Sequence, residues 1–317
     1  MRSAAVTAMH MGSACKAQRV GMITDRTIAS RTVARPNAQT TEALRHRLLT
    51  SSLMVLILLG GPVLAVTIDN GASVQVPGDH ASPWQITDLG LDVGVVTNGT
   101  LTIHNGGEVD VLGSSVLNFG VQAGSNGVVN VRGPGSVLNT YAGSRVGVGS
   151  IGNASLNIED GGLVKLGTGS VYLYIGYFAG SISDVTVTGV NSRLELFGAS
   201  GSPSTNPCAT FGFSLAVGVC GNATLTIAQG GVVSVGDGVV VGNGRVDLAV
   251  GGGVGTINIG AAPGSTPVDP GTLDAATIVV GLGNGTINFN HTSSSYVFAP
   301  SISGPGLVQI LAGTKFH

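Results

Sequence analysis

One short phrase returns seven times in this chain, and no other feature limits its fold so strongly. Alternating polar and aliphatic residues read Thr100-Leu101-Thr102-Ile103, Val128-Val129-Asn130-Val131, Ser155-Leu156-Asn157-Ile158, Asp184-Val185-Thr186-Val187, Thr224-Leu225-Thr226-Ile227, Thr256-Ile257-Asn258-Ile259 and Thr286-Ile287-Asn288-Phe289. The last residues of successive copies lie 28, 27, 29, 40, 32 and 30 apart. A unit of that size cannot bury its own apolar side and must stack on its neighbours, which is the signature of a solenoid.

Each copy sits between two further strand-like phrases. Before it comes an apolar stretch ending in glycine, such as Leu117-Asn118-Phe119-Gly120 or Leu215-Ala216-Val217-Gly218. After it comes a glycine turn, such as Asn105-Gly106-Gly107, and a third phrase, such as Val109-Asp110-Val111. Three strands and three turns in about 28 residues make one triangular coil. The expected fold is therefore all-β, a right-handed parallel β-helix of about seven coils. Period-2 alternation points the fourth residue of each phrase inward, so Ile103, Val131, Ile158, Val187, Ile227, Ile259 and Phe289 are expected to stack as one core column. A two-sheet sandwich also has alternating strands and glycine turns, but it gives no reason for seven copies in register.

Composition supports strands and turns. Gly supplies 52 of 317 residues, only 9% are charged and 4% aromatic, and the chain after residue 66 shows no amphipathic helical period. Charge divides sharply: residues 1–65 carry 8 Lys+Arg against 2 Asp+Glu, and residues 66–317 carry 6 against 14. The acidic body repels phosphate backbones and the basic head has no interleaved aromatics, so no nucleic-acid partner is expected. The head reads instead as an export signal with a long basic lead. Arg45, His46 and Arg47 precede the apolar run Leu53 to Leu59, then a Gly60-Gly61-Pro62 break and the small-residue site Val63-Leu64-Ala65. Cleavage between Ala65 and Val66 is expected. The competing reading is a membrane anchor, since Leu48 to Ile68 carries no charge, although its strongly apolar part is short of the roughly 20 residues a span needs.

Export permits disulfides. With Cys15 in the leader, Cys208 and Cys220 remain, and they flank the 40-residue interval that holds an insertion over 198–210. A bond between them would close a loop worth about 3 kcal/mol in the chain-entropy model; two unpaired cysteines are the alternative.

Motifs for chemistry are weak. Gly147 to Gly152 matches G-x-G-x-x-G but leads into a strand phrase, whereas dinucleotide binding needs a helix. The glycine-rich stretches lack the aspartate recurring every nine residues that calcium-binding rolls use. No cofactor and no metal are expected. Glycosidic cleavage needs two carboxylates in one cleft, and the candidates are Glu108 and Asp110 beside His104, with Glu159 and Asp160 on a turn one or two coils away. The chain is expected not to be an enzyme, with a polysaccharide lyase or hydrolase as the rival reading.

The half-repeats Asn98 to Gly107 and Gly124 to Ser136, echoed by Asn153 to Gly162 and Gly180 to Ser192, resemble the passenger region of bacterial autotransporters of the type V secretion class. The stretch Gly285 to Thr292 followed by Tyr296 to Gly306 is similar to a distal segment of such passengers. The resemblance implies export, a β-helical stalk and surface display. The chain is expected to be a non-enzymatic passenger with a structural or adhesive role, whose Thr-, Ser- and Asn-rich strand faces either engage host glycans, matrix or sister cells or are solvated outer faces with no specific ligand. The family's C-terminal translocator barrel has no counterpart in residues 292–317, so a periplasmic location or a truncated, functionless fragment are further readings. The expected organisation is a leader over 1–65, an N-terminal cap over 66–97, repeats over 98–290 and a distal segment over 291–317.

Overall fold

The computed structural model describes residues 65–87, 89–112, 116–141, 145–167, 172–197, 213–242, 252–281 and 284–313. Among these there is no helix. Up to Asn284–Asn290 every third strand along the chain joins the same sheet, and the last two strands, Ser301–Ser303 and Leu307–Ala312, follow without a strand of the third sheet, giving two nine-stranded sheets and one seven-stranded sheet, all parallel. That connectivity is a parallel β-helix. Sheets 1, 2 and 3 are numbered in the order in which the chain first enters them.

Sheet 2 contains the repeated phrase. Its strands are Ala72–Val76, Asn98–Ile103, Asn126–Arg132, Asn153–Glu159, Ile182–Thr188, Asn222–Ala228, Val254–Gly260, Asn284–Asn290 and Leu307–Ala312. The seven copies are the inner seven. Ile103 pairs with Val131, and the register continues through Ile158, Val187, Ile227 and Ile259 to Phe289. All seven side chains are 2% exposed or less. Leu101 and its counterparts form a second inward column beside them, so each coil places two aliphatic groups between those of its neighbours. Full burial of such a side chain is worth about 1.5–3 kcal/mol.

The corners explain the glycines. Gly94, Gly120, Gly149, Gly176, Gly218 and Gly242, each just past a sheet 1 strand, have φ between 61° and 74°, a region closed to most L-residues. The approach is also too close for a side chain: a Cβ on Gly120 would lie 2.0 Å from the Asn153 carbonyl oxygen of the next coil.

Two segments carry more regular structure than their sequence suggests. The region 66–97 supplies a strand to each sheet, Val66–Ile68, Ala72–Val76 and Trp84–Ile86, before Gly90–Val93 begins the next coil. Val74 and Val76 stand in the inward columns, paired with Leu101 and Ile103. Trp84 stacks on His80 with ring centroids 3.8 Å apart. At the far end, Ser301–Ser303 and Leu307–Ala312 extend sheets 1 and 2. The insertion interrupts no ladder, because Leu173 to Ile175 pair directly with Leu215 to Val217. The insertion residues, Cys208 and the leader through Leu64 lie outside the described residues. Cys220 is disulfide-bonded; its partner also lies outside them.

Candidate functional faces

The core is aliphatic, so any chemistry this fold presents stands on the outward positions of its three sheets. On sheet 2 these form two columns. One runs through Thr100, Val128, Ser155, Asp184, Thr224, Thr256 and Thr286, and the other through Thr102, Asn130, Asn157, Thr186, Thr226, Asn258 and Asn288. The second column carries two hydrogen-bonded runs, Thr102-Asn130-Asn157 and Thr226-Asn258-Asn288. Asn157 Nδ2 donates to Asn130 Oδ1 at 2.9 Å and Asn288 Nδ2 to Asn258 Oδ1 at 2.9 Å, while Asn130 and Asn258 donate to the hydroxyls of Thr102 and Thr226 at 3.4 and 3.2 Å. Each amide donates toward the preceding coil. Thr102, Asn258 and Asn288 are buried, so the accessible part of this column is Asn130, Asn157, Thr186 and Thr226, all half-buried. Where the amides bond between coils they are already ordered, which lowers the entropic cost of contact with a partner.

Sheet 3 holds the acidic candidates. Glu108 and Asp110 both accept from Asn139 Nδ2, each at 3.0 Å, and the Tyr141 hydroxyl donates to Asp110 at 3.4 Å. Asp110 is buried. Its charge, followed by burial and Glu108, pushes the Tyr141 hydroxyl above its usual pKa. Two carboxylates thus meet at one amide. His104 does not join them, because its Nε2 lies 3.2 Å from Gln75 Oε1. Glu159 ends a sheet 2 strand, and Asp160 occupies the following turn at φ 52°. Among the described residues no group of three or more His, Cys, Asp or Glu side chains gathers in a metal-binding arrangement.

Sheet 1 presents a face the sequence reading did not anticipate. Its outward column runs Asp92, Asn118, Gly147, Tyr174, Ala216, Val240 and Val279. The character changes from polar to apolar at Gly147. Beyond it, Tyr174, Ala216, Val219 and Val240 form a second buried apolar cluster outside the core, flanked by Tyr172, Tyr177 and Phe213. A signal was present in Tyr172-Leu173-Tyr174, which concentrates two of only five tyrosines at alternate positions of one strand.

Near the distal end, His291 is 1% exposed, with its ring between those of Phe289 and Tyr296. Neither ring nitrogen has a hydrogen-bond partner in acceptable geometry. Burial lowers its pKa, opposed in part by the Ser293 backbone. Burial likewise pushes the neighbouring Tyr296 hydroxyl up to about 12.

Fold and faces together define a class: an all-β parallel solenoid with a stacked aliphatic core and long, chemically distinct outer sheets. No protein-family model matches the chain, and no solved structure matches it. Among curated proteins it is 34% identical over 234 residues to the Adhesin BmaC autotransporter of Brucella suis biovar 1 (strain 1330), a match covering 71% of this chain and 6% of that protein. It is 38% identical over 149 residues to the uncharacterized lipoprotein YdeK of Escherichia coli (strain K12), covering 47% of this chain and 9% of that protein. The chain therefore spans less than a tenth of the length of either relative. The all-parallel sheets fit a passenger-like domain.

Proposed function

We propose that the chain is a non-enzymatic adhesive passenger, exported and held at the bacterial surface, whose sheet 2 face engages host glycans, matrix or sister cells. The carrying observation is the pair of outward hydroxyl and amide columns of that face, in unbroken register at the roughly 4.8 Å strand spacing, with Asn130 and Asn157 ordered by hydrogen bonds between coils. Contacts so closely spaced add as avidity while each stays weak. The kinship with an adhesin supports the same reading. The test is adhesion of beads coated with the full chain to epithelial cells, matrix proteins and bacteria. Replacing Thr100, Thr186, Thr224 and Thr226 together by Asp is expected to abolish adhesion while circular dichroism stays β-rich, whereas any single change to Ala leaves it nearly intact. Wild-type beads no more adherent than uncoated ones would overturn the proposal.

The meeting of Glu108 and Asp110 at Asn139 favours one second reading, a carbohydrate-cleaving enzyme. Under that reading, reducing ends appear when the chain is incubated with polysaccharide and disappear with Asp110→Asn.

A further inference from the structure

The corner at which the chain enters sheet 2 carries a column of asparagines. Of the seven strands that hold the repeated phrase, five open on Asn98, Asn126, Asn153, Asn222 and Asn284, and the other two open on Ile182 and Val254. Register aligns these positions along the stack, and the Ile182 backbone N–H donates to Asn153 Oδ1 of the coil before it at 3.1 Å. Four of the asparagines begin an Asn-x-Thr or Asn-x-Ser triplet: Asn98-Gly99-Thr100, Asn153-Ala154-Ser155, Asn222-Ala223-Thr224 and Asn284-Gly285-Thr286. That triplet is the acceptor signal for N-linked sugar. Asn126 lacks it, because Val128 stands two residues on.

Exposure and spacing suit modification. Asn98, Asn153, Asn222 and Asn284 are all exposed. Their side chains make one hydrogen bond among the described residues, the acceptance by Asn153 Oδ1, so all four amide nitrogens are available. Strand parity turns each asparagine and the hydroxyl two residues on to the same outer side. Counted along the stack, the triplets fall in every second coil, about 10 Å apart at the roughly 4.8 Å strand spacing. Sugar rings on adjacent coils would crowd one another, and alternate coils leave them room. Between the triplets stand Ile182, 56% exposed, and Val254, 39% exposed. Sugars on Asn153, Asn222 and Asn284 would flank both and lay their C–H faces over these aliphatic groups. A fifth triplet, Asn290-His291-Thr292, supplies the contrast. Asn290 is buried, and its Nδ2 donates to the Ala262 and Ser265 carbonyl oxygens at 2.9 and 3.0 Å, so that nitrogen is committed to the fold.

We infer that Asn98, Asn153, Asn222 and Asn284 are acceptors of N-linked sugar. In the transfer, Nδ2 bonds to the anomeric carbon of a glycosyl diphosphate. The bond from that carbon to the diphosphate oxygen breaks, its electron pair leaves with the diphosphate, and the amide proton passes to a base of a separate transferase. A sugar nucleotide and a lipid-linked sugar diphosphate supply the same chemistry. The inference does not depend on what sheet 2 binds, because changing the four asparagines to Gln leaves both outward columns of that sheet in place.

The test is peptide mass spectrometry of the full chain recovered from the bacterium that makes it, with electron-transfer fragmentation to place the added mass on a residue. The four asparagines are expected to carry one or more sugar residues, while Asn126 and Asn290 stay bare. Thr224→Ala is expected to remove the sugar from Asn222 and from no other site, and Thr224→Ser is expected to retain it. Chain held in the cytoplasm by blocking export separates the donors: sugar already present there identifies a sugar nucleotide, and sugar found only on exported chain a lipid-linked donor. Bare asparagines at all four sites would overturn the inference. So would equal occupancy of Asn126, or a sugar on Asn222 that survives Thr224→Ala.

Discussion

Replacing Ile158 by Ala tests the stacked core at its centre. Ile158 is fully buried between Val131 of the preceding coil and Val187 of the following one. Truncation removes three carbons from an interior that has no other group to fill the space, and such changes cost about 2–5 kcal/mol. In a solenoid the loss is local at first, because stability is a sum of coil and nearest-neighbour terms. Hydrogen exchange is therefore the assay: amides of Asn126–Arg132, Asn153–Glu159 and Ile182–Thr188 should lose protection together, while those of Ala72–Val76 keep theirs. Ser155→Ala, one strand position on the outward parity, is the control and should shift stability by no more than about 0.5 kcal/mol. Equal effects of the two substitutions would refute the inward and outward assignment on which every face described above depends.

Other outcomes follow from single sites. Gly120→Ala should destabilise the chain well beyond Gly124→Ala in denaturant titration. Both glycines have positive φ, but a Cβ meets the Asn153 oxygen only at Gly120 and meets nothing within 4 Å at Gly124, where the cost is about 1–2 kcal/mol. Because burial holds the pKa of His291 below its ordinary 6.5, the unfolded chain takes up that proton first. Stability from this residue is complete above about pH 6.5 and declines as pH falls below it; protection factors of amides 284–313, taken relative to the intrinsic exchange rate at each pH, should fall in acid, and in His291→Phe this fall should be smaller. Terminal sequencing of the exported chain should begin at Val66. Thiol labelling of the denatured, unreduced mature chain should find no free thiol, as a Cys208–Cys220 bond requires.

Sheet 2 was legible in the sequence because its two parities differ: Leu101 and Ile103 can only face the core when Thr100 and Thr102 flank them. The ends were less legible. Ala72 to Val76 alternates correctly, yet it lacks the flanking Gly-Thr context of the repeats, and only its pairing with Gly99 to Ile103 reveals it as a coil. The outer face of sheet 1 was illegible for a different reason. In Val239-Val240-Val241 both parities are apolar, so alternation cannot say which side chain leaves the core; the register shows that Val240 does. Glu108 and Asp110 share a side of one strand by their spacing of two, and this was readable. His104 precedes them by only a few residues, but the turn at Asn105 and Gly106 leaves it at the end of the sheet 2 strand, within reach of Gln75.

The same parity rule separates what holds this protein together from what it presents. The two columns that include Leu101 and Ile103 vary only among Val, Leu, Ile and Phe along sheet 2, so every coil adds nearly the same stabilising contact whatever stands outside. Outward columns are free to change, and they do so abruptly: sheet 1 passes from Asp92 and Asn118 to Tyr174 and Val240 without a break in register. A substitution on an outer face therefore alters recognition at little cost to the fold, and an insertion at a corner, such as the one before Leu215, leaves the ladders on both sides paired. Separate surfaces for separate partners can arise on such a scaffold one coil at a time. The polar columns on sheet 2 and the apolar cluster on sheet 1 belong to the same run of coils, and their chemistries differ because the outward residues of one sheet do not constrain those of another.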